Sequence, residues 1–193
     1  FKTSTRYNFS RNRVSNCTAD TDELLISDAG TLKRIDASLI GGGGIEVFDQ
    51  WRITAHVTSD SGTFDSNWER VDNTDAGYSS SNMSQSSGIF TFPSTGIWKI
   101  ETVFLMYQST SGAGNMYGHA SVTTNNSSYA DIIEAVKLEL NGGISAYGSM
   151  IFDVTNTTTH KVRFKTNFAN NDQLQGNTDR NLTYFTFTRI GDT

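Results

Sequence analysis

The segment that most constrains the fold runs from Gly88 to Met106, GIFTFPSTGIWKIETVFLM, and contains the only proline of the chain. Ile89 to Phe92 predict a short strand. Pro93 to Gly96 predict a turn, because proline holds φ at about −65° and glycine accepts backbone angles closed to other residues. Ile97 to Met106 then predict a long strand, since they are rich in the β-branched and aromatic residues that strands favour.

This long strand is apolar on one face and mixed on the other. Alternation places on the first face Trp98, Ile100, Thr102, Phe104 and Met106. The second face is polar at its start and apolar at its end, with Ile97, Lys99, Glu101, Val103 and Leu105. A strand with two apolar faces needs cover on both sides, so we expect it in the middle of a sandwich or beneath a neighbouring subunit.

Further short strands follow along the chain, separated by turns rich in Gly, Asn and Ser. One spans Asp49 to Val57, with Trp51, Ile53, Ala55 and Val57 inward and Gln50, Arg52, Thr54 and His56 outward. The others are Tyr117 to Thr123, Ile144 to Val154, His160 to Phe168 and Leu182 to Ile190. About eight strands without a convincing long helix predict an all-β, antiparallel two-sheet sandwich.

The segment Asp131 to Leu140, DIIEAVKLEL, fits two patterns. Helical spacing matches Ile132, Ile133, Val136 and Leu140, whereas strand alternation matches Ile132, Val136, Leu138 and Leu140. The turn signal Asn141-Gly142-Gly143 that follows favours a strand. We predict a strand with Ile132, Val136 and Leu138 on its apolar side.

The first 44 residues form a separate region. Leu24 to Ser27 and Thr31 to Ile35 predict a hairpin around Asp28-Ala29-Gly30. Such a small hairpin cannot bury its own apolar side. Its apolar residues therefore need a partner, either the main domain or other copies of the hairpin; they are Leu24, Ile26, Leu32 and Ile35. The four glycines from Gly41 to Gly44 predict a flexible joint, because no Gly-Lys-Ser/Thr follows to make a phosphate loop. We therefore expect an arm, hairpin and joint in 1–44 and a head domain in 45–193.

Composition excludes several classes of function. The formal net charge of −5 argues against binding nucleic acid over the whole surface, and no apolar run approaches the roughly 20 residues of a membrane-spanning helix. The single cysteine, Cys17, allows no intrachain disulfide. The basic residues between Phe1 and Thr18 fit a solvated terminal segment, or an arm that docks on an acidic partner.

No constellation of residues predicts catalysis, a cofactor or a metal. His56, His119 and His160 lie in three different predicted strands, without the spacing of a zinc site. Cys17 is far from every histidine in sequence, and no GxSxG motif is present. Aromatic residues in or beside polar stretches are candidates for binding sugars or a protein receptor, although many such rings pack into the core. They are Trp68, Tyr78, Tyr107, Tyr117 and Tyr129.

The central segment also carries a family resemblance. Gly88, Phe90, Pro93, Gly96 and Trp98 have the spacing of a motif in C1q/TNF-like jelly rolls, with Trp98 replacing the usual tyrosine. The run His160 to Phe164 and the later run Thr183-Tyr184-Phe185 resemble the closing strands of the same family. The resemblance implies a jelly roll that assembles as a homotrimer. Candidate interface residues are those whose apolar side chains need cover, namely Val103, Leu105, Leu24, Ile26 and Leu32.

A second resemblance concerns the hairpin. LLISDAGTLKRID is similar to a short module found ahead of head domains in virion proteins of tailed bacteriophages. It implies a non-enzymatic virion protein, assembled in the bacterial cytoplasm and joined to other virion proteins through its N-terminal segment. Its function would be capsid decoration or attachment to a glycan or protein of the host surface. The alternatives are a secreted C1q/TNF-like receptor ligand and a glycan-cleaving β-sandwich enzyme.

Overall fold

The computed structural model describes residues 23–36, 45, 47–58, 61–74, 77–79, 81–108, 114–139, 141–168 and 172–193. Every regular element in these ranges is a β-strand. The described residues belong to two compact units that divide between Gly44 and Ile45. Predictions for Phe1 to Thr18 and for the glycines 41–44 lie outside the described residues. In the part of the chain that is described, no helix is suited to crossing a membrane.

The first unit contains a hairpin of β1 (Glu23–Asp28) and β2 (Thr31–Asp36), paired antiparallel. Its turn residues Ala29 and Gly30 both have positive φ, 48° and 86°. Two such angles in a two-residue loop match the right-handed twist of the flanking strands, which explains the glycine. The predicted hairpin is therefore confirmed.

The described residues of the second unit form twelve strands in two sheets. Their bounds are β3 (Phe48–Ile53), β4 (Ser61–Thr63), β5 (Trp68–Arg70), β6 (Ser84–Ser86), β7 (Ile89–Thr91), β8 (Gly96–Gln108), β9 (Met116–Thr123), β10 (Ala130–Lys137), β11 (Gly142–Val154), β12 (Lys161–Asn167), β13 (Gln173–Leu174) and β14 (Tyr184–Gly191). Sheet I has the order β10-β9-β12-β7-β6, with β4 also on β12. Sheet II has the order β11-β8-β14-β3-β5, with β13 also on β8. The predicted two-sheet antiparallel sandwich is confirmed.

Strand β8 is an interior strand of sheet II, paired on both sides, as its sequence predicts. It pairs with β11 along its whole length and with β14 on its other side. Its inward side chains from Trp98 to Met106 are fully buried, and those of the other face are half-buried. Gly96 begins the strand at φ 140°, where a Cβ would stand only 2.6 Å from the carbonyl oxygen of Gly191. The predicted need for glycine in this turn is confirmed.

The two sheets meet through a cluster of aromatic rings. Phe164 of β12 stacks on Phe185 of β14 with ring centroids 3.9 Å apart. Phe90 of β7 and Trp68 of β5 join the same cluster, with their centroids 4.8 Å apart. Since each large ring buries much apolar surface, this cluster supplies a large part of the stability of the sandwich.

The prediction for β3 was wrong at the end of the strand and incomplete at Arg52. Strand β3 ends at Ile53, and Ala55 is exposed rather than inward. Arg52 points outward as predicted, in line with Tyr184 and Val103, but it is only 1% exposed because Glu69, Asp72 and Asn73 surround its guanidinium. The buried Arg52 guanidinium therefore links β3 to the edge strand β5 and to the residues that follow it.

Strand β10 forms as predicted, but the apolar side was assigned to the wrong face. Ile133 and Ala135 are buried, whereas Ile132, Val136 and Leu138 are exposed by 55%, 38% and 65%. The register shifts between Asp131 and Ile133, and this bulge sets the phase of the strand. Leu140 lies outside the described residues.

Asp49 anchors the long polar segment that follows β5. Its carboxylate is 1% exposed and accepts hydrogen bonds from Trp51 Nε1 and the Met83 backbone nitrogen, both at 3.0 Å. Arg70 donates to the same carboxylate at 2.9 Å and to the Met83 carbonyl oxygen at 2.6 Å. The carboxylate therefore joins β3, β5 and the start of β6.

We expect Asp49→Asn to lower the free energy of unfolding by about 2 kcal/mol, because one buried acceptor loses its charge and part of its bonding capacity. Urea unfolding followed by tryptophan fluorescence measures the change. Asp153→Asn, at an exposed position of β11, is the matched control and should change stability by less than about 0.5 kcal/mol. Equal effects of the two substitutions would contradict the anchoring role of Asp49.

Candidate functional site

The outward face of sheet II carries an apolar surface, which we call the face patch. Its residues are exposed or half-buried: Phe48, Val103, Leu105, Tyr147, Ile151 and Tyr184. The strand register places Tyr184, Val103 and Tyr147 in one row across β14, β8 and β11. Tyr147 and Ile151 are the most open members, 59% and 58% exposed. An exposed apolar surface of this kind is typical of an interaction site rather than of a surface that stays in contact with solvent.

Polar side chains lie within the face patch and are matched to one another. Lys99 Nζ lies 2.8 Å from Glu101 Oε1, and Tyr147 donates its hydroxyl proton to the same oxygen at 2.8 Å. The hydrogen bond from Lys99 lowers the pKa of Glu101, against the opposing effect of partial burial. The charges within the face patch are therefore already paired. Covering such a pair with another protein surface costs less free energy than covering an unpaired charge.

A second set of exposed apolar side chains, which we call the edge patch, lies on β10 and β11, two strands that contact each other at one side of the sandwich. It comprises Ile132, Val136 and Leu138 of the β10 segment and Ile144 of β11, which is 45% exposed. Both strands are outermost in their sheets. The edge patch and the face patch are thus two different surfaces that share β11.

The predicted interface residues fall in different places. Val103 and Leu105 lie in the face patch, half-buried. Leu24 and Ile26 lie in β1, and Leu32 lies in β2 with 71% of its surface exposed. Leu32 is therefore an apolar side chain without cover within its hairpin.

The predicted aromatic residues also divide. Trp68 lies in β5, partly buried, with its ring packed against the core phenylalanines and its Nε1 donating to the Phe64 carbonyl oxygen at 2.9 Å. Tyr78 is 50% exposed beside Arg70, and Tyr107 is 41% exposed at the end of β8. Tyr117 and Tyr129 are half-buried beside a polar cavity of sheet I.

That cavity opens on the outward face of sheet I and has a volume of about 400 Å³. Its lining residues come from β4, β9, β10 and β12 and are Gly62, His119, Asp131, Lys165, Thr166 and Asn167. The register brings them together, because His119 pairs directly with both Glu134 and Lys165. Sequence analysis did not predict this site, since no spacing along the chain links Asp131 with Lys165.

The charges of the cavity are paired. Lys165 Nζ lies 2.6 Å from Asp131 Oδ2, and Ser121 donates its hydroxyl proton to Asp131 Oδ1 at 2.5 Å. Glu134 Oε2 lies 3.8 Å from His119 Nδ1. His119 is 8% exposed, and its Nδ1 has no hydrogen-bond partner. Among the described residues no group of three or more His, Cys, Asp or Glu side chains is placed to hold a metal ion.

Lys165 should set the titration of Asp131. Burial raises the pKa of the Asp131 carboxyl, but hydrogen bonds from Lys165 and Ser121 and the Lys165 charge outweigh it, so the pKa is lowered. We expect carbonyl NMR to give a midpoint below the ordinary value of about 3.9, and Lys165→Met to move it upward. At pH values above the ordinary pKa, the Asp131–Lys165 pair stabilises the fold. This contribution disappears as the pH falls through the lowered pKa of Asp131.

Lys161→Met provides the control for this titration, because Lys161 is on the same strand but donates to Thr91 and Thr157. It should leave the Asp131 midpoint unchanged. A midpoint at or above the ordinary value in the unsubstituted protein would contradict the ion pair.

Comparisons with known proteins identify the fold. No protein-family model matches the sequence, and no curated protein matches it. The structure is similar to Eiger TNF from S. frugiperda, with a TM-score of 0.58 and 8% identity over 78% of this chain and 96% of that one. It is also similar to murine APRIL at pH 8.5, with a TM-score of 0.52 and 14% identity over 74% of this chain and 98% of that one.

The fold is a TNF-like jelly roll. A further structure of murine APRIL, at pH 5.0, matches with a TM-score of 0.54 and 14% identity, over 74% of this chain and 98% of that chain. The predicted jelly-roll fold is therefore confirmed. At these identities the likeness concerns the arrangement of strands, and the jelly roll by itself specifies no ligand.

Proposed function

We propose that the chain is a non-enzymatic, homotrimeric head protein of a tailed-bacteriophage virion, acting in host-surface attachment or capsid decoration. The observation that carries the trimer is the presence of two distinct apolar surfaces, the face patch and the edge patch, on one jelly roll. Assembly gives both of them cover.

The two surfaces favour a ring over a twofold dimer. A closed ring needs two different, complementary surfaces on each copy, whereas a twofold dimer uses one surface against itself. In a threefold ring the edge patch of one copy lies on the face patch of the next. Every copy then buries Ile151 and Ile132, which are exposed in the single chain by 58% and 55%. An obligate interface of this type buries more than about 2,000 Å² in total.

Support for a virion comes from the hairpin. The segment LLISDAGTLKRID, similar to a module of tailed-phage virion proteins, forms β1, β2 and their turn. In this proposal the N-terminal region joins other virion proteins, and the jelly roll presents its outer surface to the host. Three copies of a weak site then raise the overall affinity by about 10²–10⁴ when all engage one surface.

The mass of the purified protein in solution tests the trimer. We expect three times the mass of the 21.2 kDa chain by light scattering after size-exclusion chromatography at micromolar concentration. A monomer under these conditions would remove the proposal. Electron microscopy of virions labelled with antibody to this chain tests the location, and unlabelled virions would contradict it.

A second function is favoured by the fold comparison. The jelly roll is similar to that of a TNF protein, Eiger, which supports a secreted ligand of a cell receptor. Both functions use a trimer, so the oligomeric state does not separate them. Binding to bacterial envelopes, measured beside binding to animal cells, does: saturable binding to bacteria alone supports attachment, and binding to animal cells alone supports the receptor ligand.

A further inference from the structure

We propose that the outward cavity of sheet I is a binding site for a neutral sugar residue of a surface glycan. This inference rests on the proposed function, because it names the ligand class through which an attachment head would engage the host. The cavity of about 400 Å³ is within the range of small-molecule sites. It is separate from the face patch, which lies on the other sheet.

The arrangement of donors and acceptors fits adjacent hydroxyl groups. Asp131 presents a carboxylate acceptor beside the Lys165 ammonium donor, 2.6 Å apart. Each sugar hydroxyl both donates and accepts, so one hydroxyl can donate to the carboxylate while its neighbour accepts from the ammonium. Asn167, also in the lining, adds an amide with both donor and acceptor atoms.

His119 supplies a second observation that points to a ligand. The residue is only 8% exposed, yet its Nδ1 has no hydrogen-bond partner, with Glu134 Oε2 at 3.8 Å. An unsatisfied buried polar atom costs free energy, roughly 1–3 kcal/mol. His119 is also part of the cavity lining, so this unsatisfied atom belongs to a side chain of the cavity wall.

The charge balance argues for a neutral ligand. Lys165 is paired with Asp131, and Glu134 stands beside His119, so the cavity presents no excess of positive charge. An anionic sugar or a phosphate would have to compete with Asp131 for Lys165 and would face the Glu134 carboxylate. A neutral sugar keeps the Asp131–Lys165 pair intact.

Two aromatic residues lie near the cavity without forming part of its lining. The ring of Tyr117 is stacked with that of His119 at 6.2 Å, and Tyr117 pairs with Asn167 across the strands. Tyr129 lies under the Arg163 guanidinium, whose Cζ is 4.0 Å from the ring centroid. Aromatic rings with an apolar face and a polar edge suit a ligand that has both C–H and O–H groups.

The test is NMR titration of the full chain with methyl glycosides of galactose, glucose, mannose and N-acetylglucosamine. We expect at least one of them to shift the resonances of His119, Lys165 and Asn167, with a Kd of about 1 mM for a ligand of this size at an open site. Asp131→Ala should weaken binding at least tenfold. Lys161→Met, on the same strand but outside the cavity lining, should leave the Kd unchanged.

Each other outcome overturns the inference. It is overturned by a lack of shifts with all four glycosides, by shifts only with glucuronate or inorganic phosphate, or by shifts that lie away from the cavity. An unchanged Kd in a folded Asp131→Ala protein also counts against the inference. If Asp131→Ala fails to fold, Tyr117→Ala is the second variant, and an unchanged Kd in that protein counts against the inference. The mass in solution, measured on the same samples, separates failure of this site from failure of the trimer.

Discussion

Ile151→Lys should convert the trimer into a monomer while leaving the fold of the single chain intact. Ile151 is 58% exposed in the single chain and lies directly opposite Lys99 in the register of β11 and β8. The substitution puts a second ammonium beside Lys99 on a surface that assembly must dry. Because an unpaired buried charge costs several kcal/mol, we expect association to weaken at least 10³-fold, or about 4 kcal/mol.

Light scattering at micromolar concentration gives the mass, and circular dichroism shows whether the strands remain. Ser84→Lys is the matched control, since it adds the same charge at an exposed position of β6, in sheet I. It should leave the trimer unchanged. Ile132→Lys, in the edge patch, should dissociate the trimer as Ile151→Lys does. A trimer that survives both apolar-to-lysine substitutions would show that neither patch is the interface.

Phe185→Ala should have the largest effect on stability, lowering the free energy of unfolding by about 3–5 kcal/mol. Phe185 is fully buried and stacks on Phe164 at 3.9 Å, which joins the two sheets. Its ring also lies 5.2 Å from Trp68 and 5.4 Å from Phe104. Removing the ring leaves a cavity among rigid aromatic neighbours that cannot collapse fully.

Urea unfolding measures this loss and is done at a fixed protein concentration, because the proposed assembly would also contribute to the stability. Tyr78→Ala is the matched control, since it truncates an aromatic ring that is 50% exposed and contacts Arg70. It should cost no more than about 1 kcal/mol. If the two truncations cost the same, the aromatic cluster would not be the main link between the sheets.

Features fixed by local pattern were predictable from the sequence. The faces of β8, the turn before it and the hairpin at Ala29-Gly30 each depend on neighbouring residues, and the structure confirms them. The phase of β10 was not predictable in this way. A bulge of one residue between Asp131 and Ile133 reverses the side on which every later side chain lies.

The candidate sites depend on register between distant strands, and a single sequence does not contain it. Arg52 reads as an outward residue of an alternating strand, and its burial depends on Glu69 and Asp72 across the strand edge. The cavity likewise depends on the pairing of β9 with both β10 and β12, which aligns Glu134, His119 and Lys165. Trp68 was predicted as a candidate surface-binding residue for the same reason, since the rings that pack against it come from other strands.

The pairing of β3 with β14 determines how the jelly roll can be tethered. Phe48, near the beginning of this unit, pairs with Thr188, and β14 ends at Gly191 beside Ile97, so the chain enters and leaves at one pole. The sugar-site residues Lys165 and Asn167 lie towards the opposite pole, because β12 runs away from the end at which Lys161 pairs with Thr91. A force applied between an anchor before Ile45 and a ligand in the cavity therefore acts along the whole length of the sandwich. A force that pulls β3 and β14 apart at their shared pole instead separates the two strands one residue pair at a time.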